Sequence, residues 1–169
     1  MKRAPIDEQL AKTVRLACEI ADAEGGSLCL VNGDVLQPYI IYNLPEEYIA
    51  GCGEIRVGSQ CCGRAVEAKK PWIVTDMLRD PLFTTGREAA QNSRIRAAFS
   101  VPVFQGEEVV ASLACHYTSP RTPSALDIDR NEHFARIIAI ILKSRRAKTP
   151  PATIFVGPAD SDAANTVVR

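Results

Sequence analysis

Apolar residues recur at helical spacing near the start of the chain. Ile6, Leu10, Val14, Ala17 and Ala21 share one stripe, with Asp7, Glu8, Lys12 and Arg15 largely elsewhere. The pattern predicts an amphipathic helix over 6–24, stopped by Gly25-Gly26. The sequence then reads as two strands, 27–32 and 35–42, joined at Asn32-Gly33-Asp34, where Asn-Gly favours a hairpin turn. Leu44-Pro45-Glu46-Glu47 predicts a turn or short helix, 54–57 a short strand, and 62–68 one or two helical turns. Trp72, Ile73 and Val74 are aromatic or β-branched and predict a strand over 71–75.

Asp80-Pro81 interrupts the chain, and 85–92 reads as a surface helix. Strands follow at 95–104 and 108–118, with a turn at Gln105-Gly106. In the second, Val109, Ala111, Leu113, Cys115 and Tyr117 alternate with Val110, Ser112, Ala114 and His116. A long helix is predicted over 125–146. Ser124 and Asp127 form a capping-box pattern, and Phe134, Ile137, Ile138, Ile141 and Leu142 form an apolar stripe. Basic residues at Lys143, Arg145, Arg146 and Lys148 suit the negative end of that helix. The order is an α+β one: a mostly antiparallel sheet with the N- and C-terminal helices packed on one face. One domain is expected over 1–148, with Pro150-Pro151 and an Ala/Asp-rich run predicting a disordered tail over 149–169.

Composition narrows the function classes. At 169 residues and 46% hydrophobic, the chain can bury roughly 70% of its unfolded surface and needs no disulfide framework. Its six cysteines are therefore expected as free thiols. Lys plus Arg and Asp plus Glu number 20 each, which argues against nucleic acid or a membrane surface as the main partner. Charges break the first 15 residues where a signal peptide needs an apolar centre. The aliphatic run 137–142 is far below the roughly twenty residues of a membrane span. A cytoplasmic location is expected.

Five stretches carry a family resemblance: GSQCCGRAV at 58–66, KPWIVTDMLRDPLF at 70–83, IRAAFSVPVF at 95–104, VVASLACHY at 109–117 and SPRTPSALDI at 119–128. In this order they resemble the GAF domain family, in the form found in bacterial sensor kinases. The matching positions are Cys62-Gly63, Asp76 with Asp80-Pro81, and Arg96 with Ser100 and Pro102. The resemblance implies a six-stranded antiparallel sheet, terminal helices on one face, and a pocket of loops and short helices on the other. It also implies a homodimer paired through the terminal helices, for which Ile137 and Ile141 are the candidate contacts. A small-molecule ligand is expected, its identity open, with haem or a metal less favoured. No output domain follows residue 149, so the signal would pass to a separate histidine kinase or other output protein, or the chain is part of something longer.

The pocket candidates are Cys62, Arg64, Trp72, Asp76, Phe83, Arg96, Ser100 and His116. Cys62 opens a short helix, where free backbone N–H groups favour a thiolate, so a redox role with Cys52 or Cys61 is the alternative to simple packing. Cys52, Cys61, Cys62, Cys115 and His116 offer zinc-type ligands but lack Cys-x-x-Cys or His-x-x-x-His spacing. Arg64 and Arg96 either hold an anionic ligand or, for Arg96, pair with Asp76 or Asp80. Trp72 is a core anchor or a stacking platform, and His116 a ligand, a pH-sensitive group or a hydrogen-bonded structural histidine. One enzymatic branch of the family reduces free methionine sulfoxide, and Cys62 matches its first cysteine. The Cys-Asp step of that branch is replaced by Asn92-Ser93-Arg94-Ile95-Arg96, and phosphate-loop, Gly-x-Ser-x-Gly and His-Glu-x-x-His signatures are missing. A non-catalytic sensor is the expectation.

Overall fold

The first hairpin sets the frame. In the computed structural model, which describes residues 5–145 and 151–158, β1 (Gly25–Asn32) and β2 (Val35–Tyr42) turn back through Gly33, whose φ of +65° suits glycine. A short helix α2 (Glu46–Cys52), a two-residue strand β3 (Ile55–Arg56) and helix α3 (Gln60–Ala68) follow. Then come β4 (Trp72–Val74), α4 (Arg87–Asn92), and the long hairpin of β5 (Ala97–Gln105) and β6 (Glu108–Tyr117). Helix α1 (Pro5–Ile20) precedes the sheet, and α5 (Ala125–Lys143) and β7 (Ile154–Val156) come after it. The sheet order is β3-β2-β1-β6-β5-β4, antiparallel throughout, with β7 added in parallel alongside β2.

Burying an apolar face on each side of one sheet yields two cores. On one side α1 and α5 pack Leu10, Val14 and Ile138 against Phe99 and Leu113, all fully buried. On the other side α2, α4 and the loop after β4 pack Tyr48, Met77, Phe83 and Ala90 against Ile41. Ser124 and Asp127 form the expected capping box at the start of α5. Asn131, fully buried, joins the layers: its Nδ2 donates to the Ala17 carbonyl at 3.3 Å, and its Oδ1 accepts from the Cys115 thiol at 3.3 Å.

Several sequence expectations need correcting. Helix α1 stops at Ile20, and Gly25-Gly26 open β1 instead of ending the helix. A Cβ on Gly26 would lie 2.2 Å from the Cys18 sulfur, so this glycine serves a close approach of strand to helix. The alternation along β6 breaks at its start. A register shift at Val103/Phe104 sends Val109 to the α3 side and Val110 to the helix side. Within the stretch read as a disordered tail, β7 pairs Ile154, Phe155 and Val156 with Ile40, Ile41 and Tyr42. The rest of that stretch, 149–150 and 159–169, lies outside the described residues. On α5, Ile137 is exposed but Ile141 packs against the core, because it follows Ile138 by three residues and shares its face. Ile140, 70% exposed, is the more prominent outward residue.

Candidate functional site

Helix α3 starts under unusual constraint. Ser59 precedes it in extended backbone, but its hydroxyl bonds to Arg56 and caps none of the first helical N–H groups. Gln60 adopts φ +53°, strained for a residue with a side chain, and its buried amide donates to the Cys52 carbonyl at 3.0 Å. Gly63 lets the helix press on the chain leaving β3: an added Cβ would lie 2.0 Å from the Arg56 carbonyl oxygen. Gly63→Ala is therefore expected to cost about 2 kcal/mol through displaced backbone, read as a shift in urea midpoint. An unchanged midpoint would contradict this account of the helix start.

These constraints aim the side chains of Cys61 and Cys62 at a small cavity of about 30 Å³ between α2, α3, β1, β6 and the loop after β4. Cys29, Cys52, Tyr48, Met77, Phe83 and His116 complete much of the wall. The space suits one or two waters. Of the sequence candidates, Cys62, Phe83 and His116 meet here, as do Cys52 and Cys61.

The thiols are electrostatically unequal. Cys62 is brought down to about 7, first by a hydrogen bond from the Cys29 thiol and further by the hydroxyls of Ser112, Ser100 and Ser27, against an upward push from burial. Cys29 moves the opposite way, raised by that same hydrogen bond and by burial. Burial pushes Cys52 up to about 11 and Cys61 well above the usual thiol range. The Cys61 thiol also donates to the Trp72 carbonyl at 3.5 Å. His116 is pushed down to about 4 by burial, so its imidazole is neutral at pH 7. The Nδ1 atom of that ring is buried with no hydrogen-bond partner, and Tyr48 approaches edge-on with centroids 5.6 Å apart.

The remaining candidates sit around the cavity and not in its wall. Arg96 grips Asp76 through Nε at 3.2 Å and Nη2 at 2.8 Å, holding the Asp76 carboxyl below its usual range. The Leu78 amide donates to the same carboxylate at 3.1 Å, so the pair shapes the loop after β4. Arg64 donates to the Leu82 carbonyl at 3.3 Å and lies over the Trp72 ring, 5.6 Å from its centroid. Ser100 is fully buried behind Cys62 and shares a 2.5 Å hydrogen bond with Ser112. Cys115 faces α1 and α5, on the far side of the sheet from Cys62 and His116. Among the described residues, no group of three or more His, Cys, Asp or Glu is placed to hold a metal ion.

Sequence reasoning passed over Cys29, Ser27, Tyr48 and Ser112. The signal was there for three of them: Ser27 and Cys29 stand two apart on one strand, and Ser112 shares a face with His116.

A family model described as GAF domain matches residues 5–142. No curated protein matches the chain by sequence. Solved structures are similar in fold. The GAF domain of a phosphoenolpyruvate-protein phosphotransferase from Coxiella burnetii has a TM-score of 0.72 at 17% identity, covering 86% of this chain and 87% of that one. A domain assigned to a two-component sensor histidine kinase protein from Sinorhizobium meliloti scores 0.69 at 13% identity, covering 84% and 94%. A free methionine-R-sulfoxide reductase from Neisseria meningitidis, solved with its substrate, scores 0.68 at 19% identity, covering 84% and 80%.

Proposed function

The chain belongs to the GAF domain family, and from that premise we propose that it is a non-catalytic sensory domain of bacterial signal transduction. Its buried pocket takes a small ligand, and its terminal helices pair in a homodimer that passes the signal on. The observation that carries this reading is the placement of two neighbouring residues of β6. His116 lines the pocket with an unpartnered Nδ1, while Cys115 donates to Asn131 on α5 and lies against Ala17 on α1. A ligand that prefers one position of β6 would thereby prefer one arrangement of the helix pair, a shift of population and not a chemical step.

The fold likeness to a methionine sulfoxide reductase leaves an enzymatic reading to weigh. Two features favour the sensor: the Cys-Asp step of that branch is missing, and a cavity of about 30 Å³ admits no amino-acid-sized substrate without movement of its walls. A cytoplasmic setting and an output partner such as a separate histidine kinase belong to the same proposal. Among the described residues, no helix is long and apolar enough to cross a membrane.

Native mass spectrometry of freshly purified protein tests it. A dimer is expected, converted to monomer by Ile137→Asp with Ile140→Asp, together with a melting temperature raised by the ligand. A monomer whose melting temperature responds to no small molecule would remove the sensory reading. Turnover of free methionine sulfoxide would replace it with the enzymatic one.

A further inference from the structure

Four of the six cysteines line the same small cavity, and two of them, Cys29 and Cys62, lie together in one buried cluster. We propose that this cavity is a hydroperoxide site, in which hydrogen peroxide oxidises Cys62 and Cys29 then closes a disulfide with it. The inference rests on the sensory reading above for its biological consequence and names the ligand class of that pocket.

Size is the first argument. About 30 Å³ accommodates a molecule of two heavy atoms and little more. Polarity is the second. His116, only 6% exposed, lines this space beside Ser27, Gln60 and Tyr48, and its Nδ1 is buried with no protein partner. A buried polar atom of this kind calls for a guest that can hydrogen-bond. The third argument is the setting of Cys62. It stands in the first turn of α3 with Cys29 in the same buried cluster, and hydrogen bonding from the Cys29 thiol, helped by the nearby serine hydroxyls, lowers its pKa. Such donors stabilise the thiolate, the form that attacks peroxides. The other titratable groups of the cavity wall stay neutral: burial raises Tyr48 of α2, Cys52 and Cys61 and lowers His116, and the hydrogen bond with Cys62, with burial, raises Cys29. Ile49 borders both the cavity and an open surface groove beside α2.

The chemistry balances. The Cys62 thiolate attacks one peroxide oxygen; the S–O bond forms as the O–O bond breaks. The departing hydroxide takes up the proton that Cys62 released on ionising and leaves as water. The Cys29 sulfur then attacks the sulfenic sulfur, forming the S–S bond and breaking S–O. The second hydroxide leaves as water with the Cys29 proton. Each sulfur has given up one electron, and the peroxide has taken two. The sequence suggested Cys52 or Cys61 as the partner thiol; Cys29 is the cysteine that shares a buried cluster with Cys62.

The test uses the full chain, reduced, freed of reductant, and exposed to stoichiometric hydrogen peroxide. Intact mass and non-reducing peptide mapping are expected to show a loss of two hydrogens with Cys29 joined to Cys62. Cys29→Ser should stop at a single added oxygen on Cys62 that dimedone traps. The rate should level off above about pH 7, and tert-butyl hydroperoxide should react at least tenfold more slowly than hydrogen peroxide. If that variant fails to fold, the wild-type disulfide map and the pH profile still decide. Six free thiols, a different disulfide pair, or equal rates with the bulky peroxide would overturn the proposal. The two readings separate cleanly. A larger ligand that stabilises a dimer whose thiols ignore peroxide sinks this inference and supports the sensory one. A Cys29–Cys62 disulfide in a chain that stays monomeric supports the chemistry and sinks the dimeric sensor.

Discussion

Acidification from pH 7 to pH 4 is expected to remove about 3 kcal/mol of stability through His116 alone. In the unfolded chain an imidazole titrates near its ordinary value of 6.5, whereas burial holds the folded one at about 4. Between those values the unfolded state binds the extra proton, so stability falls as pH drops and is fully retained above 6.5. The contribution of Asp76 has the same direction but a lower window. Its carboxyl is held below the usual range by Arg96, so its share is lost only as pH falls below about 4. Urea unfolding of the wild type and of His116→Gln across pH 7 to 4 separates them. The variant should lose most of the slope above pH 4.5. Parallel curves would mean that the imidazole finds a proton acceptor in the folded protein.

The opposite slope should follow from Asn131→Asp. The substitution keeps shape but points a carboxylate at the carbonyl oxygens of Ala17 and Asp127, which now accept from the Asn131 amide at 3.3 and 3.1 Å. A fully buried charge facing two acceptors is costly, and protonation caps the loss. Binding a proton at pH 7 to a group that ordinarily titrates near 3.9 costs about 4 kcal/mol. The variant should therefore lose close to that amount at neutral pH and recover as the pH falls toward 4, since its folded state binds the extra proton. Thermal melts of the variant at pH 7 and pH 5 against wild type provide the check. A variant within 1 kcal/mol of wild type at pH 7 would show that water reaches this position between α1 and α5.

Local pattern carried much of the fold. The second strand was read at its observed bounds, Val35–Tyr42, because apolar and turn residues marked both ends. The start of α5 was legible because its cap lies within four residues. Features that depend on distant chain were not. Gly26 reads as a helix stop until Cys18 and Ala114 are seen closing on it. The β7 strand carries a β-branched and aromatic run, Ile154-Phe155-Val156, but the prolines and Ala/Asp-rich stretch around it hide that signal until its partner in β2 is seen. The site divides in the same way. Cys62, Phe83 and His116, candidates through the family resemblance, line the cavity. Cys29 was missed because alternation along β1 says which residues share a face but not which face meets α3. Arg96 and Asp76 were rightly singled out as neighbours, yet their two hydrogen bonds spend that chemistry on the loop.

The return of β7 to β2 also bears on the order in which the molecule assembles. β5 and β6 close over a two-residue turn, and β1 and β2 do the same. Thr153, by contrast, reaches back 115 positions to the Pro38 carbonyl, so this pairing closes a long loop and forms after the local hairpins. Phe155 packs on the cluster that contains Tyr48 and Cys52, beside α2. β7 thus covers one side of the cluster beside the thiol cavity with a long-range contact at the edge of the sheet.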